Sequence, residues 1–218
     1  MKYADLVTKI NEYEQENDLV EIIYSEALKR LVDPASDMRK LDEVEHVQLV
    51  IRPFLVHWGT MNRVVGRKGL DWGRLTKTLR DSEPEFSALR GKTLLNDFEA
   101  DPKIPEAIAK IYESVDDIPY IGGATGTSKI LHLINPEIFV MWDQDILDRF
   151  HQIDKKVQAT ARGYLRFLEK CKNELEEAMT DRVMSSGKES NEILNDLRSK
   201  YNGKTIAKLI DEYNENLG

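Results

Sequence analysis

The residues best suited to chemistry lie between Asp117 and Asp145. There a turn-rich run, Ile118-Pro119-Tyr120-Ile121-Gly122-Gly123-Ala124-Thr125-Gly126-Thr127-Ser128-Lys129, opens an apolar helix that leads to Trp142-Asp143-Gln144-Asp145. Three glycines within five residues, Gly122, Gly123 and Gly126, supply the positive-φ conformations that turn successive backbone amides toward one point. A helix N-terminus directly behind them adds its dipole, so the run reads as a cup for an anion, with Ser128 and Lys129 at its exit. The alternative is a glycine-rich turn that simply lets two helices pack closely. Either way the spacing predicts a hairpin with at least one glycine at positive φ and a following helix that starts near Thr125 to Ser128.

Asp143 offers a carboxylate at the head of the next helix, where three roles are open: a cap for the helix amides, a catalytic acid or base, or, with Asp145, a ligand for a hard cation. Two carboxylates two residues apart are more often an N-cap and a first-turn acid, and no metal or cofactor is expected. His132 sits between Leu131 and Leu133 without a second histidine nearby and is expected to have a satisfied core or packing role, and His57 beside Trp58 is likewise expected to be structural.

A second candidate is electrostatic. Between Arg52 and Arg80 there are seven basic residues, Arg52, Arg63, Arg67, Lys68, Arg74, Lys77 and Arg80, against the single acid Asp71, in a chain whose net charge is −8. Trp58 and Trp72 interleave with Arg63, Arg67 and Arg74, a mixture of aromatic faces and guanidinium groups suited to clamping phosphates and stacking bases. The competing reading is a solvated helix face paired with acidic surface elsewhere. The overall acidity excludes a general nucleic-acid coat, since non-specific binding comes mainly from Lys and Arg neutralising phosphates.

The elements that must position these residues are helices. Near-3.6 apolar periods run through Leu19, Ile22, Ile23, Ala27 and Leu31, through Val47, Val50, Ile51, Phe54 and Leu55, and through Ile104, Ile108, Ile111 and Val115. The C-terminal third continues with Tyr164, Phe167, Leu168, Cys171, Leu175 and Met179, then Ile193, Leu194, Leu197 and Tyr201, then Ile206, Leu209, Ile210 and Tyr213. Strand-like alternation is nearly absent, and Phe139-Val140-Met141-Trp142 reads as a buried extended connector. The expected fold is all-α, a multi-helix bundle of ten or more helices in a single domain of 218 residues. Its central lobe would run from about 42 to 150, with segments 1–41 and 151–218 flanking it. One cysteine, Cys171, provides no disulfide framework and suggests a reduced, cytoplasmic protein; no apolar run approaches the roughly 18 residues of a membrane span.

Residues 103–150 resemble the helix-hairpin-helix core of the HhH-GPD superfamily of base-excision DNA glycosylases. The family's Leu-Pro-Gly-Val-Gly hairpin has its counterpart in Ile118-Pro119-Tyr120-Ile121-Gly122-Gly123, and its Val-Asp-Thr-His segment in Trp142-Asp143-Gln144-Asp145. The resemblance implies DNA or another phosphate-bearing partner held by the hairpin, with Asp143 as the carboxylate that supports cleavage of an N-glycosidic bond. Bifunctional members place a lysine two residues after the last hairpin glycine; that slot holds Thr125 counted from Gly123 and Ser128 counted from Gly126, with Lys129 one step beyond. Residues 128–143, together with Phe54-Leu55-Val56-His57-Trp58-Gly59-Thr60-Met61-Asn62-Arg63, also resemble a group of prokaryotic helical proteins, which implies no particular activity. Two functions follow as expectations. One is a nucleic-acid-binding, DNA-repair-type protein using Gly122, Gly123, Gly126, Ser128, Lys129, Arg63, Arg67 and Arg74, with Asp143 catalytic. The other is a non-catalytic interaction protein whose basic patch meets an acidic partner. The run Gly123-Ala124-Thr125-Gly126 also resembles a dinucleotide-binding turn, but no apolar strand precedes it, and it lacks the glycine-lysine pair of a P-loop.

Overall fold

The computed structural model describes residues 1–31, 44–57 and 69–217. Among these residues there are twelve helices and no strand. They are α1 (Tyr3–Glu16), α2 (Asp18–Leu31), α3 (Val44–His57), α4 (Trp72–Asp81), α5 (Glu83–Ala88), α6 (Leu94–Asp97), α7 (Lys103–Asp116), α8 (Gly123–Ile134), α9 (Gln144–Ile153), α10 (Ala161–Ser186), α11 (Ser190–Lys200) and α12 (Ile206–Glu215). The chain is all-α, and no described helix is long and apolar enough to cross a membrane.

The apolar stripes of α3, α7 and α10 face the core as their periodicity requires. The stripe of α2 does so only in part: Ala27 is buried and Ile23 and Leu31 pack against the core, but Leu19 and Ile22 are 65% and 60% exposed while Tyr24 is buried. Part of its docking is polar: the Tyr24 hydroxyl reaches His132 Nε2 at 2.7 Å, and Glu21 meets Lys204 and Lys208 at 2.8 and 2.9 Å.

Two helices are enclosed. Every residue of α8 from Gly126 to Leu133 is buried, and so is every residue of α12 from Ile206 to Asn214. α7 and α2 pack on α8, and α1 packs on α12. Between α8 and α9 the segment Ile138–Trp142 crosses the core almost without exposure. With no strand to pair it, its backbone must find side-chain partners, because an unpaired buried amide or carbonyl costs as much as a lost hydrogen bond. The Phe139 carbonyl accepts from His132 Nδ1 at 2.5 Å, the Val140 carbonyl from the Tyr164 hydroxyl at 2.7 Å, and Trp142 N–H donates to Ser128 Oγ at 3.1 Å. An aromatic cluster then locks the connector to α10, with the Trp142 ring 5.1 Å from both Tyr164 and Phe167, and Tyr112 of α7 stacked 4.7 Å from Tyr164. The expected buried connector is therefore present.

Candidate functional site

The site is built around the entry to α8. After α7 ends at Asp116, the Ile118 and Ile121 amides close two tight turns onto the carbonyls of Val115 and Ile118. Both isoleucines are 2% exposed and anchor the hairpin in the core. Tyr120 then takes φ +62°, Gly122 +96° and Gly123 +59°, all in the left-handed region. Two successive glycines supply this sharp reversal because neither has a Cβ to clash. α8 consequently begins at Gly123, two residues before the earliest position expected, with Gly126 already inside its first turns through a 3.5 Å bond from its amide to the Gly122 carbonyl. No side chain caps this N-terminus. The first amides of an α-helix have no intrahelical acceptor, so Gly123, Ala124 and Thr125 present N–H groups and the positive end of the helix dipole to whatever lies outside.

Trp142 fixes the far wall. Its indole Nε1 donates to the Ala124 carbonyl at 3.0 Å, and its backbone is tied to Ser128, so the following residue, Asp143, stands beside the first turns of α8. Asp143 is the N-cap of α9 and accepts the Ile146 amide at 2.9 Å, while remaining partly exposed. Its capping role is thus formed, and one carboxylate oxygen is engaged in it.

Gly122, Gly123, Gly126, Ser128, Lys129 and Asp143 are therefore brought together, but not as one open surface. Ser128 is fully buried and serves the connector. Lys129 is 3% exposed, and burial lowers its pKa against the opposing pull of Glu215, Asp211 and Asp143. What faces outward is backbone: Gly123 is exposed, and Gly122, Ala124 and Thr125 are half-buried. His132 has both ring nitrogens satisfied in the core, as expected. Because a carbonyl can only accept, Nδ1 carries the proton toward Phe139 and Nε2 accepts from Tyr24.

Arg74 reaches the hairpin from α4. Its guanidinium donates to the Asp117 carboxylate at 2.6 Å and to the Asp117 carbonyl at 3.1 Å. Lys77 pairs with Asp81 at 2.6 Å. Part of the positive charge counted along the chain is thus neutralised by acids, one of them 43 residues away. The cleft of about 430 Å³ between α4, α5 and α7 sets Asp81, Glu85, Glu113 and Asp117 against Arg74 and Lys110. Arg63 and Arg67, with Trp58, Asn62 and Lys68, lie outside the described residues. His57, at the end of α3, bonds the Pro53 carbonyl at 2.9 Å, a structural role.

Three other clefts, of about 720, 480 and 330 Å³, lie along α2, on α3 and between α6 and α11. Asp143 lines none of these four clefts. Among the described residues no group of three or more His, Cys, Asp or Glu side chains is placed to hold a metal ion.

A polar constellation absent from the expectations lies on α12, where Lys208, Asp211, Glu212 and Asn214 are all fully buried. The periodicity of α12 marks only its apolar side, and its polar side is enclosed by residues from the first 24 positions of the chain. No protein-family model, curated protein or solved structure matches this chain.

Proposed function

We propose that this protein binds the phosphate backbone of nucleic acid through the hairpin between α7 and α8. The observation that carries this reading is the uncapped N-terminus of α8, entered through two left-handed glycines and presenting the amides of Gly123, Ala124 and Thr125. Arg63 and Arg67 from the basic stretch extend the electrostatic footprint, while Arg74 is committed to Asp117 at the mouth of the hairpin. In this reading Asp143, next to the hairpin, supplies the carboxylate for base excision at an N-glycosidic bond, with the target base extruded from the stack.

A charge placed in the amide cup tests the reading. Thr125→Asp sets a carboxylate in the first turn of α8, where it complements the helix dipole and stabilises the helix while repelling a phosphate. Wild type should bind labelled duplex or single-stranded oligonucleotide with an affinity that falls with salt between about 50 and 200 mM, and Thr125→Asp should lose that affinity with its melting temperature unchanged or raised. Absence of wild-type affinity at low salt would end the nucleic-acid reading.

One observation favours the second reading, a non-catalytic interaction protein: Asp143 is engaged as a cap and lines none of the clefts described. Asp143→Asn separates the two, because asparagine caps as well as aspartate. In a glycosylase it abolishes turnover on uracil-, oxidised- or alkylated-base duplexes while binding survives; in an interaction protein there is no turnover to lose.

A further inference from the structure

α11 packs on α10 and buries Ile193 and Leu197. A neighbouring face of the same helix carries Asn191, Leu194, Asn195 and Arg198, at i, i+3, i+4 and i+7, which makes them one continuous stripe. This stripe is one wall of the cleft of about 330 Å³ between α6 and α11, and Leu95, Glu137 and Ile206 face it. The walls are tied to the rest of the chain: the Leu94 amide donates to the Glu137 carbonyl at 3.0 Å, and the Thr205 hydroxyl to the Pro136 carbonyl at 2.6 Å.

The charges of the cleft are already committed. Arg198 donates to Glu137 at 3.1 Å, and Lys188 holds the flanking acids Glu192 and Asp196 at 3.1 and 2.6 Å. The carboxamides of Asn191 and Asn195 are not committed: among the described residues neither makes a hydrogen bond within the chain. The cleft is thus neutral, with an apolar lining of Leu95, Leu194 and Ile206 beside two side chains that each offer an acceptor and two donor hydrogens.

We propose that this cleft is a docking site for an extended peptide segment of a partner protein, whose main chain pairs with Asn191 and Asn195 and whose apolar side chain seats on Leu95, Leu194 and Ile206.

Spacing selects this occupant. Asn191 and Asn195 stand one turn apart on α11, about 6 Å along its axis at ~1.5 Å per residue. In an extended chain the N–H and C=O of one residue point to one edge and those of the next residue to the other, so each edge repeats about every 6.6 Å at ~3.3 Å per residue. A carboxamide can accept the N–H of a residue and donate to the same residue's carbonyl. Asn191 and Asn195 therefore match two residues that are two apart on one edge of the segment. A partner helix has no main-chain groups free to meet them, since its own ladder uses them. A nucleic-acid strand brings phosphates, and the cation among the described lining residues, Arg198, belongs to Glu137. The site is also separate from the hairpin, because Glu137 lies beyond the C-terminal end of α8, twelve residues and about 18 Å of helix from Gly123.

Panning a displayed library of short peptides of random sequence on the full chain tests the proposal, with a recovered peptide synthesised and labelled. It should bind wild type with an affinity unchanged between about 50 and 200 mM salt, and about tenfold more weakly to Asn191→Ala and to Asn195→Ala, the effect of losing two hydrogen bonds of ordinary strength. Both asparagines are exposed, so the variants should keep the wild-type melting temperature. N-methylation of the peptide backbone, one position at a time, should abolish binding at alternate residues only. Thr125→Asp should leave peptide affinity unchanged, so failure of the hairpin reading and failure of this one are told apart. Recovery of no peptide, equal binding to the variant carrying both alanines, N-methyl losses without alternation, or an affinity that falls steeply with salt overturns the proposal.

Discussion

Replacing Ser128 by alanine separates the structural role of this residue from a place in an anion site. Its hydroxyl is fully buried, accepts the Trp142 amide at 3.1 Å, and has the carbonyls of Trp142 and Thr125 within 3.2 and 3.1 Å for its single proton. Alanine leaves the Trp142 N–H without an acceptor in a segment that has no sheet to supply another. An orphaned buried polar group costs about 1–3 kcal/mol, and the carbonyl that takes the Ser128 proton loses its donor as well, so the expected loss is about 2–4 kcal/mol. For a chain of this size that lowers the melting temperature by roughly 5–15 °C. Urea denaturation should show a lower midpoint with an unchanged slope, because the surface exposed on unfolding stays the same. Below the melting range the folded variant should keep the wild-type affinity and salt dependence for oligonucleotides. A loss under about 0.5 kcal/mol would refute the assignment of Ser128 to the connector, and a flattened salt slope with unchanged stability would return Ser128 to the anion site.

Gly163→Ala should destabilise by about 3 kcal/mol or more, since a Cβ there would stand 2.0 Å from the Gln158 carbonyl oxygen, a backbone atom that cannot step aside; chemical denaturation measures it. His132 is held neutral by burial, its pKa lowered to about 3. An unfolded histidine takes up its proton near pH 6.5, so wild-type stability should fall with a slope of up to about 1.4 kcal/mol per pH unit as pH drops from there toward 3, and His132→Gln should flatten that slope by one proton. Asp154, whose pKa is lowered to about 2 by the Lys156 amide and the Arg166 side chain, should contribute stability that fades as pH falls from about 4 toward 2, visible as a difference between wild type and Asp154→Asn in acid titration.

What the chain shows without its fold, and what it hides, divides along one physical line. Apolar stripes announce a face because burying them needs no particular partner, and α3, α7 and α10 present the expected residues to the core. The hairpin glycines are equally legible, since positive φ is a local demand. Polar burial is different, because its cost depends on a partner supplied from elsewhere. Tyr24 and Glu21 of α2 turn inward beside part of its apolar stripe only because His132, Lys204 and Lys208 are waiting more than a hundred residues on. Arg74 counts as free charge until Asp117 closes on it, and Ser128 looks like part of an exposed loop until Trp142 arrives. The same dependence explains Lys129. A lysine directly behind three glycines reads as an anion ligand, yet the next four residues, Ile130, Leu131, His132 and Leu133, are all buried, and an enclosed helix carries its lysine inward with it. What remains at the helix entry for the proposed anion site is the set of backbone amides, placed by the conformations of Gly122 and Gly123 rather than by any charged side chain.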